Sequence, residues 1–125
     1  MAEPAEIRSV GQIAINVKDI GRSVAFYRDV LGLPFLFQAG NLAFFDCGGV
    51  RLMLDIAEDE RFDHPASCVY YRVDDLAGAF ERLKGRGATV ESEPHMIAKM
   101  PDHELWMAFF RDPDENFFAL MSEVR

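Results

Sequence analysis

Residues 13–20 of the chain are IAINVKDI, and residues 69–76 repeat the pattern as VYYRVDDL. The repeat aligns Asp19 with Asp75, so each copy places an alternating apolar run just before an aspartate. Such a run predicts a β-strand, and an aspartate directly after it predicts the N-cap of a helix. Two copies are too few for a solenoid, which needs about three or more repeats to bury a core. The repeat therefore predicts two modules packed together, with any binding site between them.

Each copy continues with the signals of one helix and three further strands, so that each module is βαβββ. We predict helices that begin after Asp19 and Asp75 and end at glycines, Gly32 in the first and Gly85 or Gly87 in the second. The predicted strands cover residues 9–17, 34–38, 41–47 and 50–56 in module one, and residues 66–73, 88–93, 104–111 and 116–122 in module two. A Gly48-Gly49 turn is expected to join two strands of module one as a hairpin.

Length and composition predict a single domain. The chain has 125 residues, half of them hydrophobic, which is enough for one sizeable core. We expect module one over about residues 7–56, a linker over residues 57–65 and module two over about residues 66–124. The linker is predicted from its run of acidic and polar residues, which favours a solvated segment.

The net charge of −8 excludes whole classes of partner. Nucleic acids and anionic membrane surfaces both require a basic face, so neither is an expected partner. No apolar run is long enough to span a bilayer, and the first ten residues lack the apolar centre of a signal peptide. Two cysteines are too few for a disulfide framework, and they favour a reduced, cytoplasmic protein.

Two motifs resemble those of the vicinal oxygen chelate superfamily, which contains glyoxalases, bleomycin-resistance proteins and extradiol dioxygenases. Residues 17–33, VKDIGRSVAFYRDVLGL, are similar to its V-x-D-x-x-x-S-x-x-F-Y-x-x-V-L-G-L signature. Residues 110–116, FRDPDEN, are similar to its F-x-D-P-[DE]-G-N hairpin. The resemblance covers nearly the whole chain. It implies an α+β fold in which two βαβββ modules form a cupped mixed sheet around a central cavity, often completed by dimerisation.

One residue of the second motif departs from the family pattern. Glu115 stands where the family prefers glycine. If that position requires a positive φ, a non-glycine residue costs about 1 kcal/mol there. We expect Asn116, which tolerates that conformation, to take it instead in a shifted turn.

The resemblance also implies four metal-ligand positions, one on the first and one on the last strand of each module. In this sequence they are occupied by Gln12, Met53, Cys68 and Ala119. Only Gln12 is an ordinary ligand, since a thioether is too soft for hard divalent metals, alanine has no donor, and Cys68 with Gln12 alone makes a poor site. A shift of one residue in either direction offers no better set. We therefore expect no cofactor, with one divalent metal ion as the alternative.

Residues two apart on a strand share one face, so these positions also identify the side chains that face the implied cavity. That set comprises Gln12, Ala14, Asn16, Arg51, Met53, Asp55, Cys68, Tyr70, Arg72, Phe117, Ala119 and Met121. It is an apolar surface with a few polar groups, as is usual for a small-molecule pocket. Arg51 and Arg72 fit a ligand carboxylate or phosphate, although ion pairs with Asp55 or Asp74 are the favoured interpretation. Tyr70 and Phe117 fit either a core or a ligand platform.

Residues 94–106 link two strands of module two and carry two of the three histidines. In this family such a segment would lie near the mouth of the cavity. His95, His103 and Glu104 are candidates for an off-pattern metal site or for catalytic acid and base groups. Trp106 joins the candidate ligand-binding residues. The alternative is an exposed polar loop whose tryptophan is anchored in the core.

Three hypotheses for function follow. The sequence favours a small-molecule-binding protein of the glyoxalase/bleomycin-resistance type, lacking the standard metal site, with an amphipathic or aromatic ligand in the inter-module cavity. The alternative is a metal-dependent lyase, isomerase or dioxygenase similar to glyoxalase I. A metal-free enzyme that uses His95, His103 or Cys68 is the third. A homodimer is expected from the family resemblance, and whether the protein is an enzyme stays open at this point.

Overall fold

The computed structural model describes residue 5, residues 9–57 and residues 68–125. Module one contains β1 (Gln12–Val17), α1 (Ile20–Ala25), β2 (Phe35–Ala39), β3 (Leu42–Cys47) and β4 (Val50–Ile56). Module two contains β5 (Val69–Arg72), α2 (Leu76–Gly85), β6 (Thr89–Lys99), β7 (Glu104–Arg111) and β8 (Phe117–Val124). The predicted α+β fold of two βαβββ modules is confirmed. Apart from Ala57, the predicted linker lies outside the described residues.

The two sheets have the same topology, with strand order β1-β4-β3-β2 in module one and β5-β8-β7-β6 in module two. The first and last strands of each module pair in parallel, and the other pairs are antiparallel. Both sheets are therefore mixed, as predicted. Within the described ranges, no helix is both long and apolar enough to cross a lipid bilayer.

Both predicted helix caps are present. Asp19 accepts a hydrogen bond from the Arg22 backbone N–H at 3.1 Å, and Asp75 accepts one from the Gly78 N–H at 3.0 Å. Each bond satisfies a donor that the first helical turn cannot pair internally. In module one a π-helical turn, Phe26–Val30, extends α1. The helix then ends at Gly32, which has a φ of 74°.

The helix-facing sides of the two sheets share one hydrophobic core. Module one contributes alternate residues of its strands, including Ile15, Leu52 and Phe45, and module two contributes Phe110 and Phe118 in the same way. The Phe26 ring, which follows α1, lies edge-on to Phe118 of β8 with a centroid distance of 5.9 Å. This ring contact joins the helix of one module to the sheet of the other.

A buried carboxylate ties the β7–β8 hairpin of module two to α1 of module one. Asp114 is 5% exposed, and its carboxylate accepts hydrogen bonds from the Lys18 backbone N–H at 3.0 Å, Arg22 Nη2 at 2.8 Å and Ser23 Oγ at 2.9 Å. A buried charge is tolerated only when it is paired and hydrogen-bonded. The three donors meet that requirement, and all of them belong to the other module.

Two neighbouring residues complete this arrangement, which we call the inter-module clasp (Asp112, Asp114 and Asn116 with the residues that they bind). Asp112 accepts a hydrogen bond from Tyr27 Oη at 2.8 Å and also binds the backbone N–H groups of Asp114 and Asn116. Asn116 Nδ2 donates to the Asn16 carbonyl at 2.8 Å. Burial and the adjacent Asp112 carboxylate raise the pKa of Tyr27 well above its ordinary value. Tyr27 therefore serves as a neutral hydrogen-bond donor.

The turn of this hairpin corrects one prediction. Glu115 has a φ of 68° and is the only non-glycine residue with a positive φ among those described, so the expectation that Asn116 would take that conformation is wrong. Asn116 is committed to the clasp, which fixes the register of the turn. The Glu115 side chain forms an ion pair with Arg111 at 2.6 Å.

We expect Glu115→Gly to be more stable than Glu115→Ala by about 1 kcal/mol in free energy of unfolding, because glycine adopts the left-handed conformation without strain. Both variants lose the ion pair with Arg111, so their difference isolates the backbone term. Urea denaturation monitored by circular dichroism measures it. Equal stabilities of the two variants would contradict this explanation of the turn.

We expect Asp114→Asn to lower the free energy of unfolding by about 2–4 kcal/mol, because three donors at a buried site lose a charged acceptor. Asp29→Asn is the matched control, since Asp29 forms an exposed ion pair with its neighbour Arg28. The control should unfold at the wild-type denaturant concentration. A wild-type midpoint for Asp114→Asn would show that the clasp does not stabilise the fold.

Candidate functional site

Most of the candidate residues lie on the sides of the two sheets that face away from the helices, which we call the open faces, whereas Trp106 packs against the hydrophobic core. On β1 and β4, Gln12 pairs with Arg51 and Ala14 with Met53 in a parallel register. On β5 and β8, Tyr70 pairs with Ala119 in the equivalent register. The residues between them, such as Ile13 and Leu52, point to the core. The predicted division of each strand between two faces therefore holds.

The open face of module one carries aromatic rings, a thioether and a cation. Gln12 Nε2 lies 3.6 Å from Met53 Sδ as a hydrogen-bond donor. Phe44, which pairs with Met53 across β3 and β4, stacks on Phe37 of β2 with a centroid distance of 4.6 Å. The Arg51 guanidinium lies 5.6 Å from the Phe44 ring centroid. Among the described ion pairs Arg51 does not join Asp55, so the favoured ion-pair interpretation is wrong for this residue.

The open face of module two is more aromatic. Tyr70 is 49% exposed and lies edge-on to Phe109 of β7 at 6.2 Å, while Phe117 is 41% exposed and carries the Arg111 guanidinium 4.7 Å above its ring. Ala119 is fully buried between Tyr70 and Phe109 in the strand ladder, and its small side chain leaves the rings room to approach each other. These residues form an exposed aromatic platform on one sheet.

Two polar candidates flank this platform. A hydrogen bond with the exposed Cys68 thiol raises the pKa of Tyr70, so these two predicted residues lie together. Arg72 reaches Glu123 at 3.7 Å and is not paired with Asp74 within the described part of the chain, which corrects the predicted partner. At that distance, on an exposed side chain, the pair contributes little to stability.

The four implied metal-ligand positions do not provide a metal site. Gln12 and Met53 lie together in module one, but the Gln12 amide nitrogen is turned toward the sulfur of Met53. In module two Cys68 is exposed and Ala119 offers no donor atom. Over residues 9–57 and 68–125, no three His, Cys, Asp or Glu side chains come close enough to hold a metal ion. The residues present do not fit the divalent metal that this kind of fold implies.

The segment before Glu104 was predicted to link two strands, and its first six residues (94–99) instead continue β6. β6 continues to Lys99, with bulges, and pairs with β7 so that His95 lies opposite Met107 and Met96 opposite Trp106. The exposed polar loop is limited to the turn around residues 100–103. The alternation of polar and apolar residues is interrupted by Pro94 and the bulges, which hid the strand from a pattern search.

The three candidate catalytic residues each have a separate partner. His95 Nδ1 lies 2.8 Å from the Glu93 carbonyl, and Glu104 accepts a hydrogen bond from Trp106 Nε1 at 3.1 Å. His103 Nδ1 lies 2.7 Å from Asp102, which also binds Arg125. Hydrogen bonds from His103 and Arg125 lower the pKa of Asp102. The turn therefore holds a small charged cluster, and it does not bring His95, His103 and Glu104 into one site.

Two features of this region were not predicted from the sequence. Phe37, Phe44 and Phe109 contribute to the open faces, and the alternation along β2, β3 and β7 would have identified them had it been applied beyond the first and last strands. The second feature is a cavity of about 480 Å³ on the helix-facing side of the sheets. Of the predicted ligand-binding residues, only Tyr70 and Arg72 line that cavity.

Comparison with known proteins places this geometry in context. The family model described as Glyoxalase/Bleomycin resistance protein/Dioxygenase superfamily matches residues 9–120. An uncharacterized protein of Bacillus subtilis, YraH, is 29% identical over 87% of this chain and 94% of its own length. The metallothiol transferase FosB of Lysinibacillus sphaericus is 32% identical over a shorter segment, 42% of this chain and 38% of FosB.

The fold is also similar to that of a solved member of the same superfamily from Sphaerobacter thermophilus. The two structures superpose with a TM-score of 0.78, at 26% identity, over 94% of this chain and 98% of the other. The similarity thus extends over both modules.

We expect nickel, zinc, manganese and iron(II) salts to leave the melting temperature unchanged, because the family positions lack a set of donors for these ions. Differential scanning fluorimetry of untagged protein, before and after treatment with EDTA, measures this. Elemental analysis of the same preparation is the second readout. Stoichiometric metal, or a large stabilisation by one of the ions, would show that ligands other than Gln12, Met53, Cys68 and Ala119 form a site.

Proposed function

The chain belongs to the Glyoxalase/Bleomycin resistance protein/Dioxygenase superfamily, and on that premise we propose that it is a metal-free protein that binds an amphipathic or aromatic small molecule. The observation that carries this proposal is the composition of the open faces. Where members of this family that are enzymes hold a metal, this chain has a thioether at Met53 and a methyl group at Ala119, surrounded by exposed rings. Such a surface suits stacking and apolar contact.

The platform of Tyr70, Phe109 and Phe117 supports an aromatic ligand. Aromatic rings prefer edge-on or offset contacts with other rings, and each such pair contributes about 0.5–1.5 kcal/mol beyond the burial of its area. The guanidinium groups of Arg51 and Arg111 both lie over rings of the open faces. Arg111 is already paired with Glu91 and Glu115, so Arg51 is the group that can pair with a polar or anionic part of the ligand. An amphipathic molecule matches this combination of rings and cations.

Homodimer formation supplies the second wall that a single open face lacks. A pocket normally surrounds most of a small ligand, whereas Tyr70 and Phe117 are almost half exposed in the single chain. Large apolar side chains are also exposed on the edge strands β2 and β6, including Phe35, Leu36, Met96 and Ile97. Exposed apolar patches of this kind favour association, and a two-fold dimer is the commonest way to bury them.

A reducing compartment, and therefore the cytoplasm, is part of the same proposal. Cys47 and Cys68 are both free thiols, one half-buried and the other exposed. An exposed thiol persists where the surroundings keep cysteine reduced.

The alternative, a metal-dependent lyase, isomerase or dioxygenase, rests on the family and on the partial similarity to a metallothiol transferase. Its chemistry requires a metal that acts as a Lewis acid, which the donors at the family positions do not support. A metal-free enzyme that uses His95 or His103 has less support. The His95 ring lies on the open face, 6.4 Å from Phe109, but its Nδ1 is bound to the Glu93 carbonyl, and His103 Nδ1 is bound to Asp102.

We expect the neutral aromatic probe N-phenyl-1-naphthylamine to bind the purified dimer, and Phe117→Ala to weaken binding about tenfold, which corresponds to about 1.4 kcal/mol. Phe37→Ala, which removes a ring from the open face of module one, should also weaken probe binding. Val124→Ala is the control, because it truncates an exposed apolar side chain at the end of β8. Probe fluorescence gives the affinity, and light scattering coupled to size-exclusion chromatography gives the oligomeric state. The proposal would be contradicted if the wild-type protein were a monomer and if both phenylalanine variants bound the probe with wild-type affinity.

A further inference from the structure

The cavity on the helix-facing side of the sheets lies between the two modules. Its walls come from β1 and β4 of module one, from β5 and β8 of module two, and from α2, and they include Ile13, Leu52, Val69, Leu83 and Leu120. Its volume, about 480 Å³, falls within the range of small-molecule pockets. Most of its lining residues point to the helix-facing side, and Tyr70 and Arg72 of the open face of module two also line it.

A break in the internal repeat creates the cavity. When Asp19 is aligned with Asp75, Ser23 corresponds to Ala79 and Tyr27 corresponds to Leu83. Tyr27 is buried and reaches the clasp with its hydroxyl, whereas Leu83 is shorter and has no polar end. The second helix therefore leaves space where the first helix is filled.

The hairpins that face the two helices also differ, because the one in module one is shorter. In module two, five residues (112–116) connect β7 to β8 and pack against the first helix through the clasp. In module one, only Gly48 and Gly49 connect β3 to β4, and Cys47 and Val50 beside them line the cavity. The short turn does not reach α2, so the length of the β3–β4 connection itself leaves the cavity open.

The polar groups at this cavity favour an anion. Arg72, Arg82 and Arg86 line it, and none of its described lining residues is acidic, although the chain as a whole carries a charge of −8. Arg82 and Arg86 are one turn apart at the end of α2, where their full positive charges exceed the roughly half negative charge of the helix terminus. Arg86 Nη1 is held by the Val30 carbonyl at 2.9 Å, which fixes its guanidinium between the modules.

The wall of the cavity also includes an aromatic residue. Tyr71 lines the wall, and its buried hydroxyl has no hydrogen-bond partner within the described residues. An unsatisfied buried hydroxyl costs about 1–3 kcal/mol, and most such groups in folded proteins are satisfied. The hydroxyl is fully shielded from solvent, so a molecule in the cavity can contact the ring of Tyr71 but not its oxygen.

We infer that this cavity is a binding site for a small amphipathic carboxylate, whose apolar part lies between the two sheets and whose carboxylate pairs with Arg82 and Arg86. Apart from Tyr70 and Arg72, the residues that line this site are distinct from those of the open faces, and neither Arg82 nor Arg86 belongs to the function proposed for those faces. Planar guanidinium groups bind carboxylates with two parallel hydrogen bonds, which gives this pairing its geometry.

Sodium decanoate is the probe, used below its micelle concentration, with 1-decanol as the uncharged control. Methyl NMR reports the location, because Ile13, Leu52 and Leu83 line the cavity while Met53 and Met121 belong to the open faces. We expect decanoate to shift the first group of methyl signals and to leave the second group in place. Shifts confined to Met53 and Met121 would overturn the inference and would instead support binding at the open faces.

Isothermal titration calorimetry tests the charge. We expect Arg82→Gln to weaken decanoate binding about tenfold and Arg28→Gln, which removes an exposed cation on the other helix, to leave it unchanged. Ala79→Leu should reduce binding by filling the cavity while both arginines remain, and Phe117→Ala should have no effect. Equal affinities for decanoate and decanol, or wild-type affinity in Arg82→Gln, would overturn the assignment to an anion.

Discussion

The burial of one carboxylate constrains the rest of this structure. Asp114 is almost fully removed from water, and the cost of burying its charge is offset only by donors at the start of α1. The hairpin that carries Asp114 must therefore lie against that helix, which sets the two sheets at a fixed relative position. The shared core and the cavity beside α2 follow from that placement. The open faces also follow, since they are the sides of the sheets left free by it.

Local features of the fold were predictable from the sequence because they depend on neighbouring residues. The caps at Asp19 and Asp75 and the turn at Gly48-Gly49 follow from short-range chemistry, and the structure contains all three. The alternation along β1 and β4 likewise assigned Gln12 and Met53 to one face. The turn at Glu115 was predicted wrongly because its register is set by Asn116, whose partner lies in the other module.

Features that depend on the packing of distant elements were not accessible in this way. The cavity arises because Leu83 is smaller than Tyr27 and one hairpin is shorter than the other, and its existence depends on which helix faces which hairpin. The partners of Arg51 and Arg72 depend similarly on the cross-strand register. The proximity of Cys68 to Tyr70 could be predicted, because residues two apart on a strand point to the same face. The lack of suitable metal donors at the four family positions could be predicted from the sequence, because it depends on residue type and not on packing.

The clasp also joins residues that are far apart in the chain, since Lys18 and Asp114 are separated by 96 positions. A helix of six residues has little stability in isolation, because nucleation is costly and few of its hydrogen bonds are internal. During synthesis from the N-terminus, α1 therefore lacks its partner until Asp114 has left the ribosome, 96 residues after Lys18. Until then module one exposes the apolar side of its sheet, and its completion is a late, long-range event of the kind that slows folding. The same contacts that stabilise the folded protein thus leave the nascent chain exposed to aggregation until module two has been made.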